Sequence, residues 1–174
     1  MLVHAWKFKS NTYRRNVTPE GWKFVHGEIF GMSTSRIRIC YIAVNSRNAN
    51  SIDKAILRWL SATYPDVMNQ HHFTTMVINS NYSAKLHRDA NNAGISMVIA
   101  IGNYTGGNLM YWKDYNKKIP MHELVNYDPQ VIDVRENQSS LTDTGHMQLS
   151  HLKEQDTQLF YSARHSTWTC HLKK

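Results

Sequence analysis

A chain of 174 residues with 41% apolar residues, 8 Gly and 4 Pro has the length and composition of one globular domain, residues 1–174, with no internal repeat or low-complexity segment. No apolar run approaches the ~18 residues of a membrane helix, so no bilayer span is expected, and the N-terminus lacks the basic-then-apolar pattern of a signal peptide. The formal charge is +7, and Lys7, Lys9, Arg14, Arg15, Lys23, Arg36 and Arg38 face only Glu20 and Glu28 in the early chain. Such a bias fits a polyanionic partner, DNA or RNA, because neutralising phosphates releases counterions; a solvated basic surface is the other reading. Cys40 and Cys170 form no close metal-binding pair, so a reduced, intracellular protein is expected, with nucleus and cytoplasm both open.

Along the chain, Arg36 to Val44 alternates, with Ile37, Ile39, Tyr41 and Ala43 on one face and Arg36 and Arg38 on the other, the pattern of a half-buried strand. A helix is predicted next. Ser51 is its N-cap, Asp53 lies in its first turn, and Ile52, Ala55, Ile56, Trp59 and Leu60 recur at helical spacing as a core stripe until Pro65 forbids continuation. Phe73 to Ile78 reads as a strand leading into Asn79 and Tyr82, which stand ahead of His87 where they can line a pocket. A continuous apolar run, Ile95 to Ile101, is followed by Thr105-Gly106-Gly107 and a second short run, Leu109 to Trp112. Lys113 to Tyr127 is polar, carries Pro120, and reads as a loop over or beside the site, where specificity usually resides. Val131 to Val134 begins another strand. Many short strands with one clear early helix predict a mainly β, α+β domain.

The residues that carry chemistry lie between the strand that ends at Ile78 and the apolar run that begins at Ile95. His87 and Asp89 are two apart, so on an extended segment both side chains leave the same face while Arg88 points away. An imidazole and a carboxylate converging in this way supply two members of a 2-His-1-carboxylate facial triad, which leaves iron positions open for a cosubstrate and oxygen.

The order of elements, His87-x-Asp89, the turn-prone Asn91-Asn92-Ala93-Gly94, the buried run and the Gly106-Gly107-x-Leu109 strand, resembles the core of the TET/JBP-like group of Fe(II)- and 2-oxoglutarate-dependent dioxygenases. The resemblance runs from about Phe73 to the C-terminus and leaves residues 1–72 as N-terminal flanking elements. It implies a double-stranded β-helix, or jelly-roll, core with a flanking N-terminal helix. A third iron ligand must then come from His146, His151, His165 or His171. In the family it follows an Asp-Val-Arg strand and a short turn; Asp133-Val134-Arg135 and Leu141 to Gly145 precede His146, which is favoured, with His151 next.

The resemblance also implies an arginine for the far carboxylate of 2-oxoglutarate, since Arg presents a planar, always charged fork. Aligned without gaps from His146, that position falls on Gln155; with an insertion it falls on Arg164, whose Arg164-x-Ser166 pattern matches the family. The implied reaction oxidises the methyl of a 5-methylpyrimidine in DNA or RNA while 2-oxoglutarate becomes succinate and carbon dioxide, the base being flipped from its stack. Tyr111, Trp112 and Tyr115 suit a stacked base, or ordinary packing. Two other functions remain open at this point: a non-catalytic jelly-roll module that binds nucleic acid or protein, and a protein or small-molecule hydroxylase on the same fold.

Overall fold

A computed structural model describes residues 7–34, 39–48, 51–88, 95–102, 105–112, 119–134, 139–142, 146–149, 152–153 and 162–164. In chain order the strands and helices are β1 (Ser10–Asn11), β2 (Val25–Thr34), β3 (Cys40–Ile42), α1 (Val44–Asn48), α2 (Ile52–Thr63), α3 (Pro65–Gln70), β4 (Thr75–Ser80), β5 (His87–Arg88), β6 (Ile95–Val98), β7 (Thr105–Gly106) and β8 (Leu109–Trp112). A 3-10 turn over Met121–Asn126 precedes β9 (Gln130–Ile132), β10 (Ser139–Thr142), β11 (His146–Leu149), β12 (Leu152–Lys153) and β13 (Ser162–Arg164). The fold is mainly β, and every strand pair among the described residues is antiparallel.

Two sheets carry the architecture. In one, β1, β2, β4 and β13 lie in that order, with β3 joined to the far end of β2. β13 also runs against β6, which pairs with β10. The other is four-stranded, in the order β5-β11-β8-β9. Val25 of β2, Val98 of β6, and Leu109 and Tyr111 of β8 meet in one buried cluster with Val17 and Tyr82, so the two sheets share a core. On the opposite face of the first sheet, Phe30, Met76, Ile78 and Met97 pack against Leu60 of α2. The alternation along β4 explains both layers: Met76 and Ile78 point to the helix, and Thr75, Val77 and Asn79 to the other face. The 3-10 turn buries Leu124 against Trp112 on the outside of the second sheet.

β2 is the longest strand among the described residues and no strand was expected there; Gly27 and Gly31 interrupt the pattern of Val-His-Gly-Glu-Ile-Phe-Gly-Met-Ser-Thr. Gly31 lies at φ +81, where the strand changes partner: His26 to Gly31 pair with β4, and Met32 to Thr34 pair with β3.

Several expectations shift. The helix from Ile52 ends at Thr63, ahead of Pro65 as expected, but Ser51 makes no side-chain cap hydrogen bond, and Pro65 opens a separate short helix, α3. Leu60 is the buried member of the α2 stripe, whereas Trp59 is 40% exposed and meets Tyr64 edge-on at 5.9 Å. The strand expected over Arg36 to Val44 contracts to Cys40–Ile42, with residues 35–38 outside the described set and α1 starting at Val44. Ile39 and Tyr41 stay exposed, because among the described residues β3 pairs with β2 alone and nothing covers it. The strand expected from Phe73 begins at Thr75 and runs through Asn79. Cys40 is disulfide-bonded, a departure from the expected reduced thiol: spacing in sequence says nothing about which sulfurs meet in space. No helix among the described residues is long and apolar enough to cross a membrane.

Candidate functional site

His87 opens β5 and is 5% exposed. Its Nδ1 lies 2.8 Å from the carbonyl oxygen of Lys85. A carbonyl only accepts, so Nδ1 carries the hydrogen and, in the neutral ring, Nε2 carries the lone pair. A histidine oriented by a backbone carbonyl through one nitrogen is the usual preparation of a metal ligand, because it fixes both tautomer and ring plane. Asp89 lies outside the described residues, as do His151, His165, His171, Gln155 and Tyr115. Among the described residues, no group of three or more His, Cys, Asp or Glu side chains converges.

His146 is the first residue of β11, which lies between β5 and β8. The register opposes Met147 to His87 and Tyr111, and His146 to Arg88 and Trp112. Directly opposed positions share a face in a regular ladder. Position 147 is thus in line with His87, and position 146 is one step along the same strand.

The other predicted residues divide into two places. Asn79 and Tyr82 come together, with the Tyr82 hydroxyl donating to Asn79 Oδ1 at 2.9 Å. Arg164 stands opposite Thr75 on β4. Four residue steps along β4 separate that point from Asn79, about 13 Å at strand rise. The cation beside Asn79 is Arg14, whose Nη1 donates to Asn79 Oδ1 at 2.6 Å. Sequence reading passed over Arg14 as one of several early basic residues; the 65-residue separation from Asn79 left no local signal.

The segment around Arg14 is fastened to the strand that bears His87. Val17 N–H and Thr18 N–H both donate to the Arg14 carbonyl, Lys85 N–H donates to the Val17 carbonyl, and the Lys85 carbonyl receives the His87 hydrogen. Beside this junction lies a cleft of about 480 Å³ walled by Thr12, Arg15, Glu20, Trp22, Lys23 and Lys85. Three cations face one carboxylate there, and Trp22 is 51% exposed. Tyr111 and Trp112, in contrast, are 5% and 6% exposed, and Trp112 Nε1 donates to the Tyr127 carbonyl. Both are buried, Tyr111 in the core between the sheets and Trp112 beneath the 3-10 turn, which favours packing as their reading.

No family model and no curated protein matches the sequence. Among solved structures, the fold resembles that of an oxidoreductase of the 2OG-Fe(II) oxygenase family from Burkholderia pseudomallei, with a TM-score of 0.55 over 94% of this chain and 76% of that one, at 13% identity.

Proposed function

We propose that the chain is an Fe(II)- and 2-oxoglutarate-dependent oxygenase with a double-stranded β-helix core, acting on the methyl of a 5-methylpyrimidine in DNA or RNA in the TET/JBP-like manner. The observation that carries the reading is His87: buried, oriented through Nδ1 by the Lys85 carbonyl, and placed on β5 next to the strand that begins with His146. Chain order supports the core, since β4, β6, β10 and β13 fall in one layer and β5, β8, β9 and β11 in the other, the interleaving of a jelly-roll. The fold likeness to a 2OG-Fe(II) oxygenase is in keeping with it.

In this reading His87 and Asp89 hold iron with His146, which lies one step along β11 from the position opposite His87. Asn79 and Tyr82 belong to the cosubstrate's end of the site. Bound iron would supply oxygen activation: one oxygen atom goes to the methyl carbon, the other to 2-oxoglutarate, which leaves as succinate and carbon dioxide. The protein's part is to orient the imidazole and to keep water from the interior between the sheets. The cleft of Arg15, Lys23 and Lys85 fits a phosphodiester backbone, and the exposed Trp22 supplies the stacking surface that Tyr111 and Trp112 do not.

Metal content and succinate release, measured with Fe(II), 2-oxoglutarate and a 5-methylcytosine oligonucleotide, test the proposal. The wild type is expected to bind one Fe(II) and release succinate, and His87→Ala to lose both by tenfold or more. His146→Ala should match His87→Ala while His151→Ala retains metal. Absence of both metal binding and succinate in the wild type overturns the function; metal loss in His151→Ala alone moves the third ligand to that residue.

A further inference from the structure

A dicarboxylic cosubstrate brings a distal carboxylate into an interior shared by two sheets, and an unpaired buried charge is costly. A cation must meet it. Arg14 is half-buried, and its guanidinium makes a hydrogen bond to a neutral amide oxygen, Asn79 Oδ1, with no carboxylate partner among the described residues. A guanidinium has five donors in a rigid fork suited to carboxylate. Here one is used. The same Asn79 oxygen takes the Tyr82 hydroxyl, so amide, phenol and guanidinium are gathered at one point next to the apolar cluster of Val25, Tyr82 and Tyr111.

The backbone opposite is shaped to admit them. Gly27 pairs directly with Asn79, and a Cβ there would stand 2.7 Å from Asn79 Oδ1 and 3.3 Å from Arg14 Nη1. Any side chain at position 27 would force the Asn79 amide to shift and would crowd the guanidinium bound to it. The carbonyl of Arg14 is fixed by Val17 and Thr18, and Val17, 2% exposed, receives the Lys85 N–H. Arg14 is therefore held at one end by β4 and at the other by the segment that leads into His87.

We infer that Arg14, positioned by Asn79 and Tyr82, is the residue that receives the distal carboxylate of 2-oxoglutarate. The inference rests on the oxygenase reading above and assigns to the N-terminal segment a role that the sequence pattern would give to the last strand. Arg164, opposite Thr75, belongs to the other end of β4 from the Asn79 trio.

Binding, rather than turnover, is the test. 2-Oxoglutarate and 2-oxopentanoate, which has the same chain with a methyl in place of the distal carboxylate, are titrated calorimetrically without oxygen into Mn(II)-loaded wild type, Arg14→Gln, Arg14→Lys and Arg164→Gln, each checked for folding by thermal melting. The expected result is that Arg14→Gln weakens 2-oxoglutarate tenfold or more, leaves 2-oxopentanoate within twofold, and is partly rescued by Arg14→Lys, while Arg164→Gln changes neither. A merely structural role would weaken both ligands together, and that outcome overturns the inference. So does undiminished 2-oxoglutarate binding in Arg14→Gln, or a selective loss in Arg164→Gln instead. A wild type that binds Mn(II) but neither oxo acid would bring down the oxygenase reading itself.

Discussion

Position 31 decides how β2 changes partner, and it can do so because it has no side chain. At φ +81 an L-residue's Cβ meets its own backbone, and the space next to Gly31 is already taken by the Thr74 carbonyl, which receives the Met32 N–H at 2.7 Å. The junction is pinned further by Thr75 Oγ1, which donates to the Met32 carbonyl, and by Ala43 N–H, which donates to Gly31. Gly31→Ala is expected to destabilise by about 2–4 kcal/mol from backbone strain and displacement of the Thr74 carbonyl. A urea midpoint unchanged from wild type would refute this. His87 illustrates the other side of the residue scale. Its type and its spacing from Asp89 were legible; its tautomer was not, because that depends on a carbonyl the chain presents only once residues 85–87 have folded.

For α2, periodicity identified the helix and its apolar stripe, but not which member of the stripe is sealed. Leu60 is 1% exposed against Phe30, Met76 and Met97, while Trp59, one position back, is turned about 100° round the axis toward the edge. Leu60→Ala should therefore cost about 2–5 kcal/mol, the range for a buried leucine leaving a cavity. Trp59→Ala, losing an edge contact with Tyr64, should cost about 1 kcal/mol. Thermal melts of the two variants check the order, and a larger loss at Trp59 would contradict it. The strands divide in the same way. β8 spans Leu109 to Trp112 as expected, because it is apolar and covered on both faces. β2 escaped notice because its two glycines mark a partner change and a close approach, which in sequence look the same as turns.

At the scale of the whole molecule, the net charge of +7 is given local form by the cleft of Arg15, Lys23 and Lys85. If these three contact phosphates, each contributes roughly 0.7 to the slope of log K against log salt for a single strand, about −2 together. Lys23→Gln and Lys85→Gln should each flatten that slope by about 0.7 while leaving the thermal midpoint near wild type, since Lys23 and Lys85 are exposed. Fluorescence anisotropy with a labelled oligonucleotide across 50–300 mM salt reads both quantities; an affinity that does not respond to salt would exclude the cleft as a phosphate site.

The chain's local pattern was enough for a β-rich domain with one amphipathic early helix, for the His87-x-Asp89 pair, and for a basic N-terminal third, since periodicity, spacing and charge are properties of neighbouring residues. Which layer each strand joins, that Tyr111 and Trp112 are buried, and that Cys40 finds a sulfur required the packed sheets. The same holds for Arg14. Its guanidinium reaches Asn79 across 65 residues because Gly27 leaves room for it and Val17 is drawn into the core. Contacts of that kind arise from burial summed over both sheets, which no short stretch of sequence carries.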